Sequence, residues 1–287
     1  MKSLKTLSAM RFLPLAVPCL FSLLLLASCQ PNGSSGITDD GLTADSLIYR
    51  IDTISRELSC YENKEELCLQ VDLQILKLTG NASETVLERI NSQLETAVTE
   101  TDNSEKPAKD AEAVADNLVE EYERLLKEMP DYKMPWEVSQ SFEVSLNQDG
   151  MFGAVLNSYS FTGGAHGNYF FFYYLFATET GNRLVLKDFL KDGATAALTN
   201  RAEEKFRELY SVSENESLND AGYWFENNVF ALPDNFKYNA QGLEFIYNTY
   251  EIAPYSEGII TIRFDLPEIE RFIRPEYRLI SHEKEAL

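Results

Sequence analysis

Histidine is scarce in this chain: two residues in 287, His166 and His282, the second in a charged C-terminal tail at 277–287. There is no HExxH and no histidine pair at ligand spacing, so the common zinc-hydrolase signatures are absent and no metal or other cofactor is expected. No Gly-x-Ser-x-Gly elbow occurs, which removes the usual sequence support for a Ser-His-Asp hydrolase. Carboxylate pairs suited to glycoside hydrolysis carry no information, because 46 acids supply such pairs by chance. Positive charge is in deficit: 25 Lys and Arg against those acids leave −21 at pH 7. A surface of that sign disfavours nucleic acid and anionic headgroups and attracts basic proteins, although solubility is its plainer use. No internal repeat is present.

What the N-terminus does hold is a leader. Lys2, Lys5 and Arg11 precede an apolar run from Phe12 to Leu26, the pattern of an export signal. The run ends in Leu26-Ala27-Ser28-Cys29, which resembles a bacterial lipobox. Residues 1–28 are therefore expected as a lipoprotein signal peptide and Cys29 as the acylated membrane anchor. A spanning helix is the competing reading, and Pro14 and Pro18 count against it. The expected location is extracytoplasmic, lipid-anchored in the bacterial envelope, in the outer membrane with its leaflet left open. Losing three basic residues and no acids would take the charge from −21 to −24. Residues 29–45, rich in Gly, Ser, Thr and Asp, read as a flexible tether. Of four cysteines, Cys19 leaves with the leader and Cys29 takes lipid. Cys60 and Cys68 remain, and in an oxidising compartment a disulfide between them can close a seven-residue hairpin loop.

Hydropathy patterning organises the rest. Leu47 to Leu58 and Leu67 to Leu78 read as strands, with Leu67, Leu69, Val71, Leu73 and Ile75 on one face. Val86, Ile90, Leu94 and Ala97 form a helical stripe, with Thr85 and Glu88 placed as a capping box. A second stripe, Val114, Leu118, Tyr122, Leu125 and Met129, follows Pro107 at an expected helix start and stops at Pro130. From Trp136 the period changes to two, and Asp149-Gly150 signals a hairpin into Met151 to Phe161. Tyr169 to Thr178 is apolar on both faces and reads as a central, doubly covered strand or as a half-open platform. A third helix at Ala194 to Leu209, strands at Leu243 to Tyr247 and Ile259 to Phe264, and a short helix capped by Asp265 complete the pattern. The expected class is α+β with antiparallel sheets and amphipathic helices packed on them, in subdomains at 46–130 and 131–276.

Two loops stand out. Between strands, Thr162-Gly163-Gly164-Ala165-His166-Gly167 presents the only histidine outside the tail; Gly163, Gly164 and Gly167 permit backbone shapes closed to other residues. The second is Tyr250-Glu251-Ile252-Ala253-Pro254-Tyr255-Ser256-Glu257-Gly258, stiffened by Pro254 and turned by Gly258. His166, Tyr250, Glu251, Pro254 and Tyr255 are the candidate binding residues, with tightly packed structural turns as the alternative. No catalytic residue is assigned.

Phe161 to Gly167, Thr180 to Phe189, Gly242 to Phe245 and Tyr250 to Gly258 together resemble the RsiV-like and PdaC-like extracytoplasmic domain family. This domain of largely unknown function occurs in a lysozyme-sensing anti-sigma factor and beside the catalytic domain of a peptidoglycan deacetylase. The resemblance covers Trp136 to Ile273. It departs from those proteins in two ways: only about 11 residues precede the apolar run, and the deacetylase's metal-binding catalytic motifs are missing. What it implies is a non-catalytic envelope module that binds a basic lysozyme-like protein, as a sensor or inhibitor. The alternatives are a peptidoglycan-binding module and, third, a cryptic hydrolase or deacetylase accessory.

Overall fold

Two long strands open the structure, β1 (Ile48–Leu58) and β2 (Leu69–Gly80), paired antiparallel from Leu58↔Leu69 to Tyr49↔Leu78. This computed structural model describes residues 45–60, 67–100 and 108–280, which belong to one compact unit. The leader at 1–28, Cys29, the tether as far as 44, the turn after Cys60, Pro107 and His282 lie outside the described residues. Cys60 and Cys68 are joined by a disulfide, with Cα atoms 5.7 Å apart.

Helices α1 (Glu84–Glu100) and α2 (Ala111–Glu128) carry the chain across one face of the sheet. Their buried residues fall on the expected stripes: Val86, Ile90, Leu94 and Ala97, then Val114, Leu118 and Tyr122. The α1 cap sits elsewhere than expected. Ser83, two residues before Thr85, accepts from the Val86 amide (3.4 Å), and Asp110 accepts from the Ala113 amide (2.8 Å) at the start of α2. A small polar residue just outside the first turn meets the unpaired amides; one inside it, like Thr85, does not.

The crossover returns the chain as β3 (Trp136–Gln148), parallel to β2 over Leu69↔Trp136 to Leu73↔Gln140. That pairing departs from the all-antiparallel expectation, and it joins residues on either side of the expected division at 130/131. Two intervening helices supply the length that a parallel connection requires. Beyond Gln140 the strands part. Asn91 of α1 takes over the freed edge, bonding the Leu78 amide and carbonyl (2.7 and 2.9 Å). β4 (Met151–Phe161) and β5 (Asn168–Ala177) complete a five-stranded mixed sheet in the order β1-β2-β3-β4-β5. Asp149 and Gly150, both with positive φ, make the hairpin turn the sequence signalled.

The C-terminal part uses shorter pieces: α3 (Leu186–Phe189), α4 (Ala194–Leu209), β6 (Phe236–Asn239), β7 (Gly242–Tyr247), β8 (Ile260–Phe264) and α5 (Leu266–Ile269). The last three strands form an antiparallel sheet. One core lies between α1, α2 and the first sheet. A second, rich in aromatic rings, gathers Phe189, Phe206, Phe225, Phe236, Phe245 and Phe264 with the Met151 end of the first sheet. A small third cluster, Val155, Tyr173 and Ile246, connects the two sheets.

The doubly apolar strand β5 is an edge strand, not the central one. Its outer backbone is bonded by side chains in place of a sixth strand. Asn248 Oδ1 accepts from the Phe171 amide and Asn235 Oδ1 from the Tyr173 amide (both 2.8 Å), while both asparagines donate to the Phe171 carbonyl (3.0 and 2.7 Å). Glu244 secures the same junction. It is buried, accepts from the Tyr173 hydroxyl (2.9 Å) and Arg263 Nε (2.8 Å), and pairs with Lys237 (3.1 Å).

Candidate binding site

The amide bonds along β5 decide where the site forms. Asn248 is fixed to Phe171, and Thr249 Oγ1 donates to the Tyr169 carbonyl (3.3 Å), so the loop that follows is held beside the β4–β5 turn. Tyr250 then takes a positive φ of 66°, a conformation that disfavours side chains with a Cβ and persists only where neighbours enforce it. Glu251 supplies part of that enforcement by accepting from the Asn248 amide (2.8 Å). The residue as a whole is exposed, but desolvation around the folded-back carboxylate raises its pKa, an effect this hydrogen bond opposes. Pro254, at φ −60°, leads into a single 3-10 turn at Tyr255–Glu257 that Gly258 ends at φ 67°.

Across from it, Gly163 and Gly164 turn at φ of 104° and 102°. Gly167 is needed for a different reason: a Cβ there would collide with the Tyr159 ring. The two loops meet through rings. His166 stacks on Tyr255 with centroids 3.6 Å apart and planes 16° apart. Tyr255 donates its hydroxyl to the Gly167 carbonyl (2.9 Å), and the Tyr250 hydroxyl lies 3.4 Å from His166 Nε2. Tyr250 and Tyr255 stand 5.7 Å apart, with Tyr250 half exposed.

Of the residues singled out in the sequence, His166, Tyr250 and Tyr255 therefore form one exposed cluster. Glu251 and Pro254 shape its backbone. The cluster offers flat, amphipathic rings with hydroxyl and imidazole groups at their rims, a composition suited to recognition. Among the described residues no group of three or more His, Cys, Asp or Glu is placed to hold a metal ion. No helix among them is long and apolar enough to cross a membrane.

Trp224 was not singled out in the sequence. It is half exposed on the loop between α4 and β6, and its amide donates to the Ile252 carbonyl (2.7 Å). That bond ties a second aromatic loop to the Tyr250 loop. Consecutive positive-φ residues at Asn227 and Asn228 shape it. In the sequence Trp224 lies in the aromatic but irregular stretch Tyr223 to Tyr238, where no periodicity marks it out.

The same arrangement divides along the chain between two family matches. Residues 62–169 match the family described as Deacetylase PdaC, and residues 187–266 match a protein family of unknown function, DUF3298. The chain thus carries a PdaC-like segment followed by a DUF3298-like segment. His166 belongs to its PdaC-like segment and the Tyr250–Gly258 loop to its DUF3298 segment, so the cluster forms where the two segments meet. Two crystal structures of DUF3298 family members share the fold. The one from Bacteroides fragilis NCTC 9343 is 21% identical, with a TM-score of 0.63 over 81% of this chain and 96% of that one. The one from Pseudomonas aeruginosa PAO1 is 18% identical, with a TM-score of 0.58 over 82% and 98%. Among curated proteins, none matches the chain.

Proposed function

We propose that this PdaC-like/DUF3298 protein is a non-catalytic module of the bacterial envelope, lipid-anchored through Cys29, that docks a basic, lysozyme-like protein as a sensor or inhibitor. The observation that supports this reading is the convergence of His166 with Tyr250 and Tyr255, 84 and 89 residues further along the chain, into one exposed aromatic cluster. Exposed aromatic side chains with acids around them are the composition of a docking surface for a cation-rich partner. Glu251 and Glu257 lie in the Tyr250 loop itself, and Glu226 lies two residues from Trp224. A net charge of −21, or −24 without the leader, would speed encounter with such a partner at low ionic strength. The deacetylase in the matched family's description remains that family's name; the reading for this chain assigns recognition to the segment.

Calorimetry of the mature soluble part with a basic lysozyme, at low and at moderate salt, tests the proposal. Expected is binding that weakens with salt and falls about tenfold in Tyr250→Ala, the scale of truncating one aromatic anchor. Absence of binding at both salt levels would remove this partner.

A further inference from the structure

The face of the first sheet opposite α1 and α2 is covered at one end only. Alternate residues there form rows across three strands. The register sets Ser139 opposite Tyr159 and Tyr159 opposite Tyr169; in the next row Ser141 faces Asn157 and Asn157 faces Phe171. One row further in, Val155 and Tyr173 are buried against Ile246 of β7. Between that closed end and the turn after β4 lies an open groove of about 210 Å³, lined by these six residues together with Ser158 and Phe170.

The lining has three properties that together select a ligand. It presents aromatic rings, with Tyr159 and Tyr169 4.5 Å apart and Tyr169 half exposed. It presents hydroxyl and amide groups at Ser139, Ser141 and Asn157, able both to donate and to accept. It contains no charged side chain, in a chain of net −21. Acids instead flank it along β3: Glu137 and Glu143 occupy the positions on the same face before and after the two serines. Glu137 is close enough to act on Tyr159, whose hydroxyl pKa is raised by desolvation and then by that charge. An anionic ligand would be repelled at both ends. The volume lies below the roughly 300 Å³ at which sites for drug-sized molecules begin, which suits one ring at a time.

We propose that this groove binds an uncharged pyranose ring of an oligosaccharide, with the apolar sugar face on Tyr169 and the ring hydroxyls paired to Asn157, Ser139 and Ser141. The groove shares no lining residue with the His166–Tyr250–Tyr255 cluster, which it adjoins where the Tyr159 ring packs on Gly167, and it does not depend on the protein-docking reading. It lies on the sheet face, and every lining residue belongs to β3, β4 or β5.

The test is titration of the mature soluble protein with cellotriose, chitotriose and tri-galacturonate, followed by intrinsic fluorescence and by two-dimensional NMR. Saturable binding of at least one neutral trisaccharide in the millimolar range or tighter is expected, with the charged one at least tenfold weaker. Tyr169→Ala should weaken that binding about tenfold, the effect of losing an aromatic anchor. Ser141→Trp, which fills the groove, should abolish it. Tyr250→Ala should leave it unchanged, so failure of the docking partner and failure of the groove are read separately. No saturation by either neutral trisaccharide, equal binding of the galacturonate, or indifference to both groove variants would overturn the proposal.

Discussion

The two halves of this molecule hold together by different means. Around α1 and α2 the structure is regular: strands of 11 to 13 residues, helices of 17 and 18, and a mainly aliphatic core in register with their periods. In the C-terminal part the elements are short, and aromatic rings fill the space between them. Phe206 alone lies within 4.8–5.6 Å, centroid to centroid, of Tyr210, Tyr223, Phe225 and Phe230. In the regular half, periodic side chains follow from secondary structure, and packing is distributed over many similar contacts. In the aromatic half large rings do much of the packing and side-chain amides finish the backbone ladder. The exposed cluster sits at the junction, where each half supplies one loop.

This contrast predicts that the C-terminal part is the more sensitive to single substitutions. The largest effect is expected for Phe206→Ala, about 3–5 kcal/mol, because a fully buried ring with several aromatic neighbours leaves a cavity they cannot close. Equilibrium urea unfolding measures it, and a loss below about 1 kcal/mol would show that the aromatic half repacks freely.

Next comes Glu244→Gln, about 2–3 kcal/mol. That is less than the roughly 3–5 of a wholly buried pair, since the Arg263 side chain is 62% exposed. Burial pushes the Glu244 carboxyl up, but bonds from Arg263, Lys237 and Tyr173 outweigh it and leave the pKa below the ordinary 4.5. A carboxyl lowered on folding stabilises at pH values above its unfolded pKa. Its contribution is lost as pH falls below 4.5 and through the folded value. The acid limb of a stability-versus-pH curve should therefore be shallower in Glu244→Gln than in the wild type, with the variant's deficit largest near neutrality. Parallel curves would show that the ion cluster contributes nothing to joining the sheets.

A smaller effect, about 1–2 kcal/mol, is expected for Asn248→Ala, which leaves the Phe171 amide without its 2.8 Å partner. Hydrogen exchange should rise along β5 and in the Tyr250 loop but not in α1 or α2. Uniform exchange over the whole chain would refute the junction as the local weak point. Smallest is Asp110→Ala, about 1 kcal/mol, from losing the α2 cap. Melting curves should show a shift of only a few degrees, with the aromatic cluster's near-ultraviolet signal unchanged below the transition.

The regular half was the legible one. The alternation from Trp136, the Asp149-Gly150 turn and both helical stripes lie in the sequence because neighbouring residues determine them. What the sequence did not carry is long-range. The parallel pairing of β2 with β3 spans two helices, and no local pattern distinguishes it from an antiparallel neighbour. Phe170 to Phe176 read as a central strand because both faces are apolar; its place at the edge depends on Asn235 and Asn248, whose ordinary local role is in turns. β6 is four residues long, too short for alternation to register, and went unread. The candidate cluster was legible as two unusual loops. Their meeting follows from Asn248, which was not among the residues singled out.

The amide-finished margin of β5 also constrains how anything can engage this side of the molecule. Many recognition modules accept a peptide by extending a sheet, reading main chain first and side chains second. Along Phe171 and Tyr173 the main-chain positions such a peptide would need are already taken by Asn235 and Asn248. A visitor here must be chosen by the shape and chemistry of its surface, and an unfolded segment gains nothing from merely being extended.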